Sequence, residues 1–239
     1  MLNFIKYEWL RRWKFFLAGI LVFVLADIDL FSRIISQESP NYISVILIAL
    51  VFTLSAALVV DHLGRLYRTL FSDEGFTELT LPLSGYQLLG AKLLAIFLEC
   101  VAVMTIVGIV AYFDAIYVDM IALNWQLPSL TWEIGLEVLK GLGFILGGYI
   151  IFILMVYLSL ALAKSIFATF KHGILIAFGC FIVLAKVVDY LGDILSVSAR
   201  YYLHGSVAFM TTTDWLIIIV LIGLLFISTG FLLNRKINL

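Results

Sequence analysis

The sequence predicts an all-α membrane protein: a six-transmembrane-helix bundle with an N-terminal interfacial helix and a short cytoplasmic helix between its second and third spans. Composition, hydropathy and the shape of the apolar runs carry this expectation. The chain of 239 residues is 64% hydrophobic and 13% charged, whereas a soluble domain is about half apolar and about a quarter charged. Its mean hydropathy is +1.14, more apolar surface than one soluble core of this length hides. The apolar residues come in long continuous runs with no alternation. In lipid every backbone N–H and C=O needs an internal partner, so such runs read as helices and not as barrel strands.

The runs lie at about Phe15–Ile35, Ile43–Val60, Tyr86–Phe113, Gly141–Ala163, Gly173–Tyr190 and Trp215–Leu233, the fourth with an alternative start near Ile134. Each is close to the roughly 20 residues that a hydrocarbon core demands. The whole chain, 1–239, reads as a single transmembrane domain, with no linker, low-complexity stretch or soluble-type repeat. The basic start is followed by no small-residue cleavage site, so the first run is expected to be a retained span.

Lys and Arg placement sets the orientation. With both termini in the cytoplasm, Lys6, Arg11, Arg12, Lys14, Arg65, Arg68, Lys92, Lys164, Lys171, Arg235 and Lys236 fall inside, eleven of the fifteen basic residues. Net charge is −1, and no nucleic-acid partner is expected. Cys100 and Cys180 both sit in apolar runs, which argues against a disulfide framework. Gly143 and Gly147, flanked by Gly141 and Gly148, form a small-residue stripe that permits close helix approach, within the chain or to a second copy.

Two segments are amphipathic. In residues 1–14, Leu2, Ile5, Trp9 and Trp13 share one helical face, with Arg11 and Lys14 opposite, the pattern of a helix lying among lipid headgroups; the alternative is an extension of the first span with a basic cytoplasmic flank. Between the second and third runs, Leu63, Leu66, Tyr67, Leu70 and Phe71 fall at i, i+3, i+4, i+7 and i+8. Arg65, Arg68, Thr69 and Ser72 are expected on the other face. Asp61 is expected to cap this helix, and Pro82 and Gly85 to break the chain and re-aim it into the third span.

Charged groups within the spans are costly and therefore candidates for function. Glu99, near the centre of the third run, could line a cavity and hold a cationic part of a substrate, or pair with a Ser, Thr or Lys on a neighbouring helix. Lys186 is expected to pair with Asp189 or to snorkel. No Gly-x-x-x-x-Gly-Lys-[Ser/Thr] loop is present, so the chain cannot cradle a nucleotide itself. No His-Glu-x-x-His motif is present either, and His62, His172 and His204 are far apart in sequence. Neither a catalytic site nor a bound metal or cofactor is expected. The spans are too poor in polar residues for a hydrophilic pore, and a hydrophobic or amphipathic substrate such as a peptide, toxin, antibiotic or lipid suits them.

The stretch Asp73-Glu74-Gly75-Phe76-Thr77-Glu78-Leu79-Thr80-Leu81-Pro82-Leu83-Ser84, followed by Lys92, resembles the cytoplasmic loop of type-2 ABC exporter permeases. The opening Ile5-Lys6-Tyr7-Glu8 with Arg11-Arg12 is similar to the start of that family. The sequence likeness rests on about thirty residues, from Asp61 to Lys92. It implies an ATP-driven exporter subunit in the bacterial cell membrane, working as a homodimer with two copies of a separate ABC ATPase that holds ATP and Mg²⁺. It also implies a coupling helix at 62–73, with Arg65, Tyr67, Arg68, Phe71, Asp73 and Glu74 as its contacts, and an interfacial helix carrying Trp9, Arg11, Arg12 and Trp13. The re-entrant segment common in the family, between spans five and six, has no clear counterpart in Asp193–Thr213. A secondary transporter or channel without an ATPase, and a membrane immunity or scaffold protein, remain as alternatives.

Overall fold

The computed structural model describes residues 2–35, 40–71, 84–121, 132–166, 173–195 and 212–236. They form six α-helices: α1 (Leu2–Ile35), α2 (Pro40–Phe71), α3 (Gly85–Ile121), α4 (Trp132–Ile166), α5 (Gly173–Leu195) and α6 (Thr212–Lys236). No strand occurs among the described residues. Among the described residues, five stretches are long and apolar enough to cross a membrane: Ala49–Phe71, Gly85–Val110, Gly135–Ser165, Gly173–Asp193 and Asp214–Asn234. Large apolar side chains on them face outward, with Leu175 69%, Phe178 62% and Val183 63% exposed on α5. Surfaces of this kind are matched to lipid, and the chain is an α-helical multi-pass membrane protein.

Two helices run further than the sequence pattern suggests. The helix α1 continues without a break from the expected interfacial stretch into the first apolar run; the side chains of Trp9, Arg11 and Arg12 lie outside the described residues. Similarly, α2 passes through Asp61 and His62 to Phe71. Asp61 is therefore in mid-helix and not at a helix start. The amphipathic segment stays in helical phase with the apolar run before it, and no breaker lies between Val60 and Leu63 to separate them. Its buried face is also rotated from the expected one. His62, Arg65, Leu66, Thr69 and Leu70 are buried, while Tyr67 and Arg68 are exposed. Ser72, Asp73, Glu74, Pro82 and most of Asp193–Thr213 lie outside the described residues.

Gly85 is the first residue of α3. Ser84 and Gln87 form a reciprocal cap there. The Gln87 N–H donates to Ser84 Oγ at 3.3 Å and the Ser84 N–H to Gln87 Oε1 at 3.1 Å, satisfying two of the donors that a helix start leaves over. Glycine is required at position 85 by proximity to α6, since an added Cβ would lie 2.8 Å from the Asn234 nitrogen.

The chain forms two compact units, residues 1–62 with 94–129 and residues 63–93 with 130–239. In the second unit α4 packs against both α5 and α6. Its core holds Ile153, Leu154, Tyr157 and Ala161 from α4, with Leu221, Leu225 and Leu233 from α6. Gly143 and Gly147 serve this packing: an added Cβ would sit 2.7 Å from Trp215 Cη2 and 2.9 Å from Ile218 Cγ2. The glycine stripe thus brings α6 close to α4 within one chain. Gly230 likewise leaves room for the Tyr86 ring, which lies 6.2 Å from that of Phe226. Lys164 Nζ donates to the Leu70 carbonyl, joining α4 to the C-terminal turn of α2, where carbonyls lack helical partners. Its ammonium also lies 5.8 Å from the centre of the Phe71 ring.

Candidate functional site

The first unit holds a cavity of about 640 Å³ between α1, α2 and α3. Its walls are built by helical spacing. Phe23 and Ala26 on α1, Leu50, Leu54, Ala57 and Leu58 on α2, and Val103 on α3 line it. The volume lies within the range of about 300–1,000 Å³ typical of small-molecule sites. Polar groups are few. The Thr53 hydroxyl donates to the Ala49 carbonyl of its own helix at 2.7 Å. The charged groups among the described lining residues are two carboxylates, Asp61 and Glu99.

Glu99 is 5% exposed and His62 fully buried. His62 Nε2 lies 3.0 Å from Glu99 Oε2. A carboxylate only accepts, so the tautomer that suits this contact has Nε2–H donating to Glu99. One partner of Glu99 is thus a histidine of α2, a residue that the sequence reading does not pair with it. Asp61, half-buried, adds a third group, and one donor atom from each of Asp61, His62 and Glu99 lies within 4.8 Å of the others. One imidazole nitrogen and two carboxylate oxygens could ligate a divalent transition metal if water completed its shell. Equally, the carboxylates could receive an organic cation entering along the apolar walls.

The sequence singles out Glu99 alone of this cluster as a substrate-path residue. His62 and Asp61 are missed because 37 residues separate His62 from Glu99. The available signal is chemical: a histidine and a glutamate both embedded in apolar helices each need a polar partner.

The expected coupling residues divide by exposure. Tyr67 and Arg68 are exposed, Phe71 is half-buried and Arg65 is buried. The Tyr67 and Phe71 rings stack at 5.0 Å, and the Arg68 Nε–H donates to the Gly64 carbonyl at 3.2 Å. Asp73 and Glu74 lie outside the described residues. Trp13 lines the cavity and is 48% exposed. Lys186 and Asp189 are both exposed, three residues apart on α5.

Comparisons with protein-family models, with curated proteins and with solved structures returned no match. The site is therefore read from its own chemistry.

Proposed function

We propose that this chain is the membrane-spanning subunit of an ATP-driven exporter of the type-2 ABC class. It resides in the bacterial cell membrane with six spans and both termini cytoplasmic. Two copies enclose the pathway and engage two copies of a separate ABC ATPase, which supplies the ATP and Mg²⁺ chemistry. The substrate is hydrophobic or amphipathic and leaves by alternating access.

The observation that supports this reading best is the apolar cavity in the first unit, with Asp61 and Glu99 among its lining residues. A compartment of this size and lining suits a molecule that is mostly apolar with one polar end. The resemblance of Asp73–Ser84 to the permease loop supports the ATPase partner. The continuity of α2 supports coupling: displacement at Tyr67 and Arg68 would pass along one uninterrupted helix to Leu58 and Asp61. Tyr67, Arg68, Phe71, Asp73 and Glu74 form the docking face for the ATPase, with Arg65 set behind them. Residues 1–14 hold the chain at the inner membrane surface through Trp9, Arg11, Arg12 and Trp13.

Affinity isolation of the tagged chain from its native membrane tests the proposal. The expected result is a co-isolated protein that hydrolyses ATP and is lost with Arg68→Glu and Tyr67→Ala. Isolation free of any ATP-hydrolysing protein would count against it, as would these substitutions leaving the pair intact.

A further inference from the structure

Asp61, His62 and Glu99 bring three metal-ligating groups to one point of the first unit. Asp61 and His62 are consecutive residues of α2, and Glu99 comes from α3. His62 Nε2 and Glu99 Oε2 are 3.0 Å apart. Two donors held about 2.1 Å from one ion stand about 3–3.4 Å apart, in octahedral or tetrahedral order. The pair therefore already has the spacing that a shared ion needs. A donor atom of Asp61 lies within 4.8 Å of both, a gap within reach of a side-chain torsion. His62 is fully buried and Glu99 is 5% exposed, so packing of α2 and α3 fixes two of the three ligands. Asp61 and Glu99 also line the cavity, which gives water room to take the remaining positions.

We infer that Asp61, His62 and Glu99 form a site for a divalent transition metal, with water completing its shell. The imidazole decides the class of ion. One nitrogen beside two carboxylate oxygens suits Zn²⁺ and its first-row neighbours, whereas Mg²⁺ and Ca²⁺ prefer oxygen alone. On ligation the Nε2 lone pair goes to the metal and the imidazole proton moves to Nδ1, so the ring stays neutral. No ligand has to be free of other contacts, and all three side chains take part in further interactions. A carboxylate offers about four lone-pair sites, and ligating carboxylates and imidazoles are as a rule held by outer hydrogen bonds. The bound ion would clamp α2 to α3 beside the cavity. The site is independent of the transport reading, since it belongs to the chain alone and needs no ATPase.

The test uses the full chain in nanodiscs of uncharged phosphatidylcholine, stripped of metal with a chelator. Equilibrium dialysis against Zn²⁺, with empty nanodiscs subtracted, measures the metal bound per chain by elemental analysis. Saturable Zn²⁺ binding that survives an excess of Mg²⁺ is expected. His62→Gln, Glu99→Gln and Asp61→Asn should each weaken it by roughly tenfold or more, since even the outer partners of metal ligands carry effects of that size. Asp61 is half-buried, and its variants decide the matter if a His62 or Glu99 variant does not fold. Asp61→Cys should retain binding and give bound Co²⁺ a thiolate charge-transfer absorption that the unsubstituted chain lacks. Absence of saturable Zn²⁺ binding would overturn the inference and leave His62 and Glu99 a plain hydrogen-bonded pair. So would equal Zn²⁺ affinity in the unsubstituted chain and Asp61→Asn, or Co²⁺ bound to Asp61→Cys without the thiolate absorption, either of which would put the ion elsewhere.

Discussion

His62 on α2 and Glu99 on α3, both buried, lie 3.0 Å apart through Nε2 and Oε2. The contact satisfies a carboxylate and an imidazole in apolar surroundings, where either alone would be costly.

That relationship predicts unequal effects of two substitutions at one position. Glu99→Ala removes the acceptor and leaves the buried imidazole without this partner, which should destabilise by about 1–3 kcal/mol. Glu99→Gln keeps an oxygen acceptor in place and should cost less. Thermal unfolding in detergent or nanodiscs measures both. Equal losses would mean that the contact contributes nothing specific.

The glycines of α4 make a second pair of opposites. Ala at Gly147 forces a Cβ to within 2.9 Å of Ile218 Cγ2, whereas Ala at Gly141 or Gly148 meets nothing within 4 Å. Gly147→Ala should destabilise by about 1–3 kcal/mol through overpacking. Gly148→Ala should be neutral or stabilising by up to about 1 kcal/mol, because Ala is the better helix former. Gly230→Ala should resemble Gly147→Ala, since its Cβ would run into the Tyr86 ring. Thermal midpoints of the purified variants check the ranking.

Lys164 predicts a local effect. Its ammonium is bonded to the Leu70 carbonyl, so Lys164→Met should loosen the last turn of α2 while the α4–α6 core remains. Hydrogen exchange should rise at Leu66–Phe71, by roughly tenfold for a lost charge-assisted bond worth about 1.5 kcal/mol. Unchanged exchange in that turn would refute the tie.

Arg65 and Arg68 should separate stability from partner binding. Arg68 is exposed, and Arg68→Glu should leave thermal stability within about 0.5 kcal/mol while sharply weakening the ATPase complex. Arg65 is 6% exposed; reversing its charge should cost about 3–5 kcal/mol, the scale of an uncompensated buried charge. Melting curves and co-isolation, measured on the same preparations, distinguish the two.

The helical class and the positions of the apolar runs were legible because spanning length and hydropathy depend on composition alone. Helices α3 to α6 contain the expected runs, with ends extended by a few residues or more. The continuity of α2 was not legible. A change from apolar to amphipathic pattern looks like a boundary, yet the backbone has no reason to break where neither Pro nor Gly intervenes between Val60 and Leu63. The inward turn of Arg65 and Thr69 was hidden for a related reason, since a wheel ranks side chains by polarity and not by which neighbours are available. Ser84 and Gln87 carried a readable capping signal that Pro82 and Gly85 overshadowed. Glu99 stood out as a charge in an apolar run, but its pairing with His62 spans a sequence distance that periodicity cannot bridge.

The central claim is that this chain exports its substrate with ATP hydrolysed by a separate subunit. Reconstitution of the chain with its co-isolated ATPase into proteoliposomes tests it most directly, with accumulation of a hydrophobic or amphipathic substrate inside inverted vesicles as the readout. Accumulation that requires ATP and both proteins, and that falls with Arg68→Glu, is the expected result. Equal accumulation by the chain alone without ATP would contradict the claim.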